Sequence, residues 1–269
     1  MILPSASFVP ALLSVAVAIA YAVPAVAATH MRAAAARTWL VLGWLLHALV
    51  LGWGLLVGTP HFGFAPALSM TAWLVLTIYG VESHLFPQLP VRWALAAAGG
   101  IAVLLPLAFP GAPLHDTSPW LPLHLALGIA SYGLFATAVL HAWLMTRAEK
   151  QIRLASDAHT GVPLLTLERL TFRFVTVGFV LLSATLLAGW LFAETLYGPA
   201  GTGPGWRWDH KTVFSILSWL TFAVLLLGRS RFGWRGRKAV RFLYAGSGLL
   251  LLAYVGSRFV LEVILGRTP

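Results

Sequence analysis

Eight consecutive residues, Gly205-Trp206-Arg207-Trp208-Asp209-His210-Lys211-Thr212, place two indoles, a carboxylate, an imidazole and two cations in one short turn between long apolar stretches. Indole faces suit a flat apolar ligand, a neutral imidazole nitrogen ligates metals, and Arg207 and Lys211 can bind carboxylates by charge-assisted bonds. Lipid normally excludes such groups, so a cluster of them where a membrane-crossing stretch begins marks a binding site by default.

Histidine placement extends the set. His61 and His115 fall in outer loops, and His124 and His210 lie at the outer ends of apolar stretches. His47 lies mid-membrane, His84 and His141 toward the inner face, and His30 and His159 in inner connections. Helical spacing puts Gly128, Ser131, Tyr132 and Phe135 on the same stripe as His124. Small residues beside an imidazole leave room for a flat macrocycle, and they equally allow close helix packing; spacing alone does not choose between these. His47 reads either as a ligand within the bundle or as an imidazole hydrogen-bonded to a neighbouring helix. His30, His84, His141 and His159 read as interfacial or hydrogen-bonded imidazoles.

The elements that must position these groups follow from composition. Of 269 residues 59% are hydrophobic and only 10% are charged, which excludes an ordinary water-soluble domain. Eight weakly charged stretches are each about long enough to cross roughly 30 Å of hydrocarbon as a helix. They run Phe8 to Ala28, Thr38 to Val57, Ala67 to Leu85, Trp93 to Phe109, Leu121 to Met145, Phe172 to Leu196, Thr212 to Leu227 and Phe242 to Leu265. The expected fold is all-α, a polytopic bundle of eight transmembrane helices, because lipid forces backbone groups to pair within their own segment. The first stretch ends in small residues like a signal peptide, yet no basic residue precedes it and Arg32 and Arg37 follow it, so it reads as a retained span.

Fourteen of the 18 Lys and Arg residues fall on one side of these spans, in the connections around Arg32, Arg92, Arg147 to Arg173, and Arg229 to Arg241. The positive-inside rule makes that side cytoplasmic. Both termini and the Trp-rich turn then lie on the outer, periplasmic side of a bacterial inner membrane. The same rule accounts for most of the +10 charge, so no nucleic-acid partner is called for. The chain reads as one domain, residues 1–269: its longest polar connection, Arg147 to Thr171, holds a helix-like charged segment too small for a core of its own and reads as a solvated connector rather than a partner-docking or surface-lying helix. With no cysteine, disulfides, thiolate chemistry and thioether attachment of haem are excluded for this chain. No nucleophile elbow, His-Glu-x-x-His pair or catalytically spaced carboxylate pair occurs, and enzymatic activity is not expected.

The segment Trp206 to Lys211, continuing into a span with Trp219 and Phe222, resembles the tryptophan-rich haem-handling segment of the CcsA/CcmC superfamily of cytochrome c assembly proteins. The His124 to Tyr132 segment resembles that superfamily's histidine-led span with Ser-Tyr. From about Leu40 onward the chain is most similar to the YpjD-type inner-membrane proteins, with HemX more distant. Supporting stretches include Leu46-His47-Ala48, Leu167-Glu168-Arg169, His210 to Val213, Arg229 to Arg237 and Tyr254 to Leu265.

The resemblance implies non-covalent haem b at the outer membrane interface, with the ring against Trp206 and Trp208 and iron ligated by His124, His210 or both. Asp209 or Glu194 would accept from the second imidazole nitrogen, and Arg207, Lys211 or Arg258 would hold the propionates. His47 is the candidate ligand of a second haem. Departures from the exporters are specific: Thr212 stands where they carry an acidic residue, and Leu227 and Leu265 stand at the positions of their membrane histidine and second external histidine. His124 matches their first external histidine, whereas His210 is a substitute. The alternative implied reading is a regulatory or accessory subunit with a degenerate haem site, in HemX-like control of haem synthesis or beside an ion-transport protein. In that reading its basic loops would dock on a membrane or cytosolic protein.

Overall fold

The protein is described by a computed structural model over residues 8–27, 30–85, 92–114, 120–153, 163–192, 210–260 and 264. Trp206, Arg207, Trp208 and Asp209, with Glu194, His115, His159, Glu262 and Leu265, lie outside these residues.

Each apolar stretch forms a helix. In order they are α1 (Phe8–Val26), α2 (Ala33–Leu56), α3 (Phe64–Leu85), α4 (Arg92–Ala108), α5 (Leu121–Arg153), α6 (Leu164–Leu191), α7 (His210–Phe232) and α8 (Gly236–Leu251). The last continues through a π-helical turn, Leu252–Gly256, into Ser257–Phe259. Among the described residues seven helices are long and apolar enough to cross a membrane, the last counted through Gly256; α4, with 17 residues, is shorter. Both ends of the Arg147 to Thr171 connection are helical, in keeping with its helix-like charged segment: α5 runs to Arg153 and α6 begins at Leu164. Glu149, Lys150 and Gln151 are good helix formers, so α5 continues past its apolar part. One feature departs from the sequence reading, a two-residue antiparallel pairing of β1 (His61–Phe62) with β2 (Ala112–Pro113), too short for alternation to reveal. Gly111 precedes β2 at φ +81°, a left-handed conformation that favours glycine.

Backbone packing divides the chain into two compact units, one ending at His115 and the other spanning Asp116–Arg267. In the first, α1 packs on α2 and α4, and α3 on α2 and α4. Its centre is Tyr21 of α1, fully buried between two glycines. A Cβ at Gly43 of α2 would lie 2.8 Å from the Tyr21 ring, and one at Gly99 of α4 would lie 3.2 Å from it. Without a driving force from water, helices in lipid associate by such close approach and by hydrogen bonds. Trp44 and Trp73 stack 5.3 Å apart, and Trp44 Nε1 donates to Thr77 Oγ1 at 2.7 Å.

In the second unit α5 lies along α6, α7 along α8, and α8 also meets α5. The rings of Phe135 (α5) and Phe222 (α7) stack at 3.9 Å, within 4° of parallel, and both are fully buried. Glycines flank the stack: a Cβ at Gly178 of α6 would lie 3.2 Å from Phe135, and one at Gly246 of α8 would lie 2.8 Å from Phe222. Polar side chains tie the same level together. Ser218 donates to the Gly246 carbonyl, Trp219 to Ser183 Oγ, and Tyr132 to the Leu250 carbonyl, at 2.8, 2.8 and 2.7 Å.

A matched pair of substitutions checks this packing. Gly248 is on the same helix with open space at its Cβ. Gly248→Ala is expected to leave the unfolding temperature in detergent unchanged or slightly raised, since alanine favours helix. Gly246→Ala is expected to lower it, at a cost of about 1–3 kcal/mol from overpacking. Equal melting temperatures for the two variants would contradict the assignment.

Candidate functional site

One end of the second unit gathers the start of α5, the end of α6 and the start of α7. His124 is the fourth residue of α5, its backbone N–H donating to the Trp120 carbonyl at 3.0 Å. Its ring reaches toward α6, where a Cβ on Gly189 would sit 3.4 Å from His124 Cε1. The imidazole thus packs directly over the Gly189 backbone, and its Nδ1 is shielded from solvent. Lys211, the second residue of α7, is an electrostatic neighbour of His124. Its ammonium lies 5.7 Å from the ring centroid of Tyr254, in the π-helical turn. Such turns, with one extra residue per hydrogen-bonded loop, often occur at functional sites. His210 opens α7 and is exposed. Trp120, Trp190 and Phe192, beside the site in sequence, are 59%, 61% and 51% exposed.

Lower on α5, helix packing takes over the stripe below His124. A Cβ at Gly128 would be in ordinary contact with Thr185 at 3.7 Å, and Ser131 donates to the Gly128 carbonyl at 2.7 Å. Tyr132 reaches Leu250 and Phe135 stacks on Phe222. Along this stripe, from Gly128 to Phe135, the described contacts are those of helix packing.

His47 belongs to the first unit and is fully buried. Its Nε2 lies 2.9 Å from Ser69 Oγ and its Nδ1 3.4 Å from the Tyr21 hydroxyl. A neutral imidazole has one donor and one acceptor, so two hydroxyls match both nitrogens. To ligate a metal through Nε2, the ring would have to release Ser69. His141 is also buried and meets the Phe174 ring, and His61 Nδ1 donates to the Thr59 carbonyl at 2.8 Å. Among the described residues no three His, Asp or Glu side chains converge as a metal cage requires. One or two imidazoles are enough for haem iron.

Gly189 and Tyr254 are the neighbours that sequence reasoning does not find. Neither stands out by residue type, and each joins the site only through the register of one helix against another.

The chain was also compared with known proteins. The family described as "Cytochrome C assembly protein" matches residues 12–265. The "Uncharacterized 28.8 kDa protein in nifR3-like 5'region" of Azospirillum brasilense is 30% identical, covering 81% of this chain and 85% of that protein. "Inner membrane protein YpjD" of Escherichia coli K12 is 30% identical over 73% of each chain. "Cytochrome c biogenesis protein CcsA" of Prochlorococcus marinus is 36% identical over 22% of this chain and 19% of that protein. No solved structure matches. With its long apolar helices and an inner-membrane relative, the chain is an integral inner-membrane protein in contact with the lipid bilayer.

His47→Leu tests the buried network of the first unit. It would leave the Ser69 and Tyr21 hydroxyls unsatisfied, and a stability loss of about 1–3 kcal/mol is expected by thermal unfolding in detergent. An unchanged melting temperature would mean that these hydroxyls do not depend on the imidazole.

Proposed function

Because the chain belongs to the cytochrome c assembly protein family, we propose that it handles haem, holding haem b non-covalently at the outer face of the inner membrane. The observation that carries this reading is the placement of His124, its ring set against Gly189 where α5 begins and α6 ends, with Lys211 as its electrostatic neighbour. These residues fit the group: a neutral imidazole suits haem iron, and a cation suits a propionate. When bound, haem supplies an iron that takes axial ligands and two carboxylates that need cations.

In this reading His124, His210 at the exposed start of α7, or both would hold the iron. Trp206 and Trp208 would take the face of the ring, Asp209 or Glu194 would fix an imidazole by accepting its free N–H, and Arg207, Lys211 or Arg258 would hold the propionates. A second haem at His47 would require loss of the Ser69 bond, so the outer site is the principal one. The whole chain acts as one domain of eight crossings, both termini outside and the basic helix ends inside, in line with a family match that spans both compact units.

One observation favours a non-exporting, accessory version of this role. Leu227, at the position of the exporters' membrane histidine, is 59% exposed on α7 and has no metal-ligating atom. An accessory subunit would hold a partner through its basic inner loops. A stoichiometric partner that co-purifies with the His124→Ala/His210→Ala protein supports this version; release of the partner by that double substitution contradicts it.

Protein purified in mild detergent from haem-replete cells is expected to show a Soret band near one haem per chain. His124→Ala should abolish most of it, and His210→Ala should shift or weaken it. A haem-free wild type, or spectra indifferent to both substitutions, would sink the proposal.

A further inference from the structure

At the opposite end of the second unit from His124, α6, the end of α7 and the turn that follows it line an open basic cleft of about 710 Å³. Its α6 wall is two adjacent rows at four-residue spacing: Leu165, Arg169, Arg173 and Val177, beside Glu168, Phe172 and Thr176. Arg229 and Arg235 close it from the other side, so four guanidinium groups face one carboxylate. That carboxylate is already engaged. Glu168 is ion-paired with Arg229 and lies 3.7 Å from Arg235 Nε. Arg229 is held further by the Trp234 carbonyl at 3.3 Å and by the Phe172 ring, 4.3 Å below its guanidinium. Arg169 and Arg173 are exposed, and among the described residues neither meets a carboxylate.

Depth distinguishes this cleft from a merely solvated basic surface. Arg173 stands nine residues into α6, roughly 14 Å along the axis from Leu164. Beyond it the wall turns apolar through Val177, 51% exposed, and Val180 on the next turn, 58% exposed. Four cations above an exposed apolar track match an amphiphile with an anionic head. They do not match a zwitterionic one, because among the described residues the one carboxylate lining the cleft, Glu168, is taken by arginines. The volume falls within the roughly 300–1,000 Å³ of small-molecule sites.

We infer that this cleft binds the phosphate of an anionic phospholipid, with Arg169 and Arg173 as the free cations, Arg229 and Arg235 behind them, and an acyl chain along Val177 and Val180. Basic pockets between membrane helices recognise lipid headgroups by this chemistry. The site is independent of haem binding, since it shares no residue with the His124 end.

Native mass spectrometry of the full chain in detergent tests it, with phosphatidylglycerol, chain-matched phosphatidylcholine and inorganic phosphate as separate probes. Wild type should retain phosphatidylglycerol over phosphatidylcholine by about tenfold. Arg169→Gln/Arg173→Gln should lose that preference, and Arg231→Gln/Arg237→Gln, with the same change in net charge outside the cleft, should keep it. Arg173→Gln alone, one exposed side chain, should weaken it by about threefold and serves if the double variant does not fold. Equal loss in the two double variants would overturn the site in favour of diffuse surface charge. Displacement of the lipid by millimolar inorganic phosphate would overturn the lipid assignment, and so would a wild type without headgroup preference.

Discussion

The Phe135–Phe222 stack is the contact on which the second unit depends. Two rings 3.9 Å apart and nearly parallel fix α5 and α7 in rotation as well as in distance. The glycines at 178 and 246 let α6 and α8 close on the outer edges of the pair. Toward one end of these helices His124 meets Gly189 and has Lys211 as an electrostatic neighbour; toward the other Glu168 pairs with Arg229. Lipid offers no hydrophobic drive between helices, so packing at small residues and a few hydrogen bonds must supply the specificity.

The first unit solves the same problem with buried polar groups. Tyr21, His47 and Ser69 link α1, α2 and α3 through two hydroxyls and one imidazole. Unpaired polar atoms are costly in lipid, so a satisfied chain of them favours one helix arrangement over slipped ones. The imidazole at mid-membrane therefore has a structural role visible in its partners, whatever else it binds.

Much of this was legible in the sequence, for identifiable reasons. The helices were legible because lipid leaves the backbone one solution, and apolar runs bounded by charge mark their limits. Helix ends were less so: the charged segment with Glu149, Lys150 and Gln151 reads as helix-like, but not as the direct continuation of α5 that it forms. His124 stood out through its surroundings, since helical spacing sets Gly128, Ser131, Tyr132 and Phe135 on its stripe. Gly189 and Tyr254 did not, because a glycine and a tyrosine carry no signal until the facing helix is known. The cleft at Arg169 and Arg173 was hidden for a related reason. As loop charges those residues satisfied the positive-inside rule, and only their four-residue spacing on α6 opposite Arg229 turns them into a site.

The central claim is that the end of the second unit at His124 is a haem seat. An experimental density map of the protein prepared from haem-replete cells tests it most directly. The account predicts a flat density at the junction of α5, α6 and α7, with a ring nitrogen of His124 at coordinate-bond distance from its centre. A haem seated elsewhere, or His124 with both ring nitrogens bonded to protein groups in a haem-loaded molecule, would contradict it.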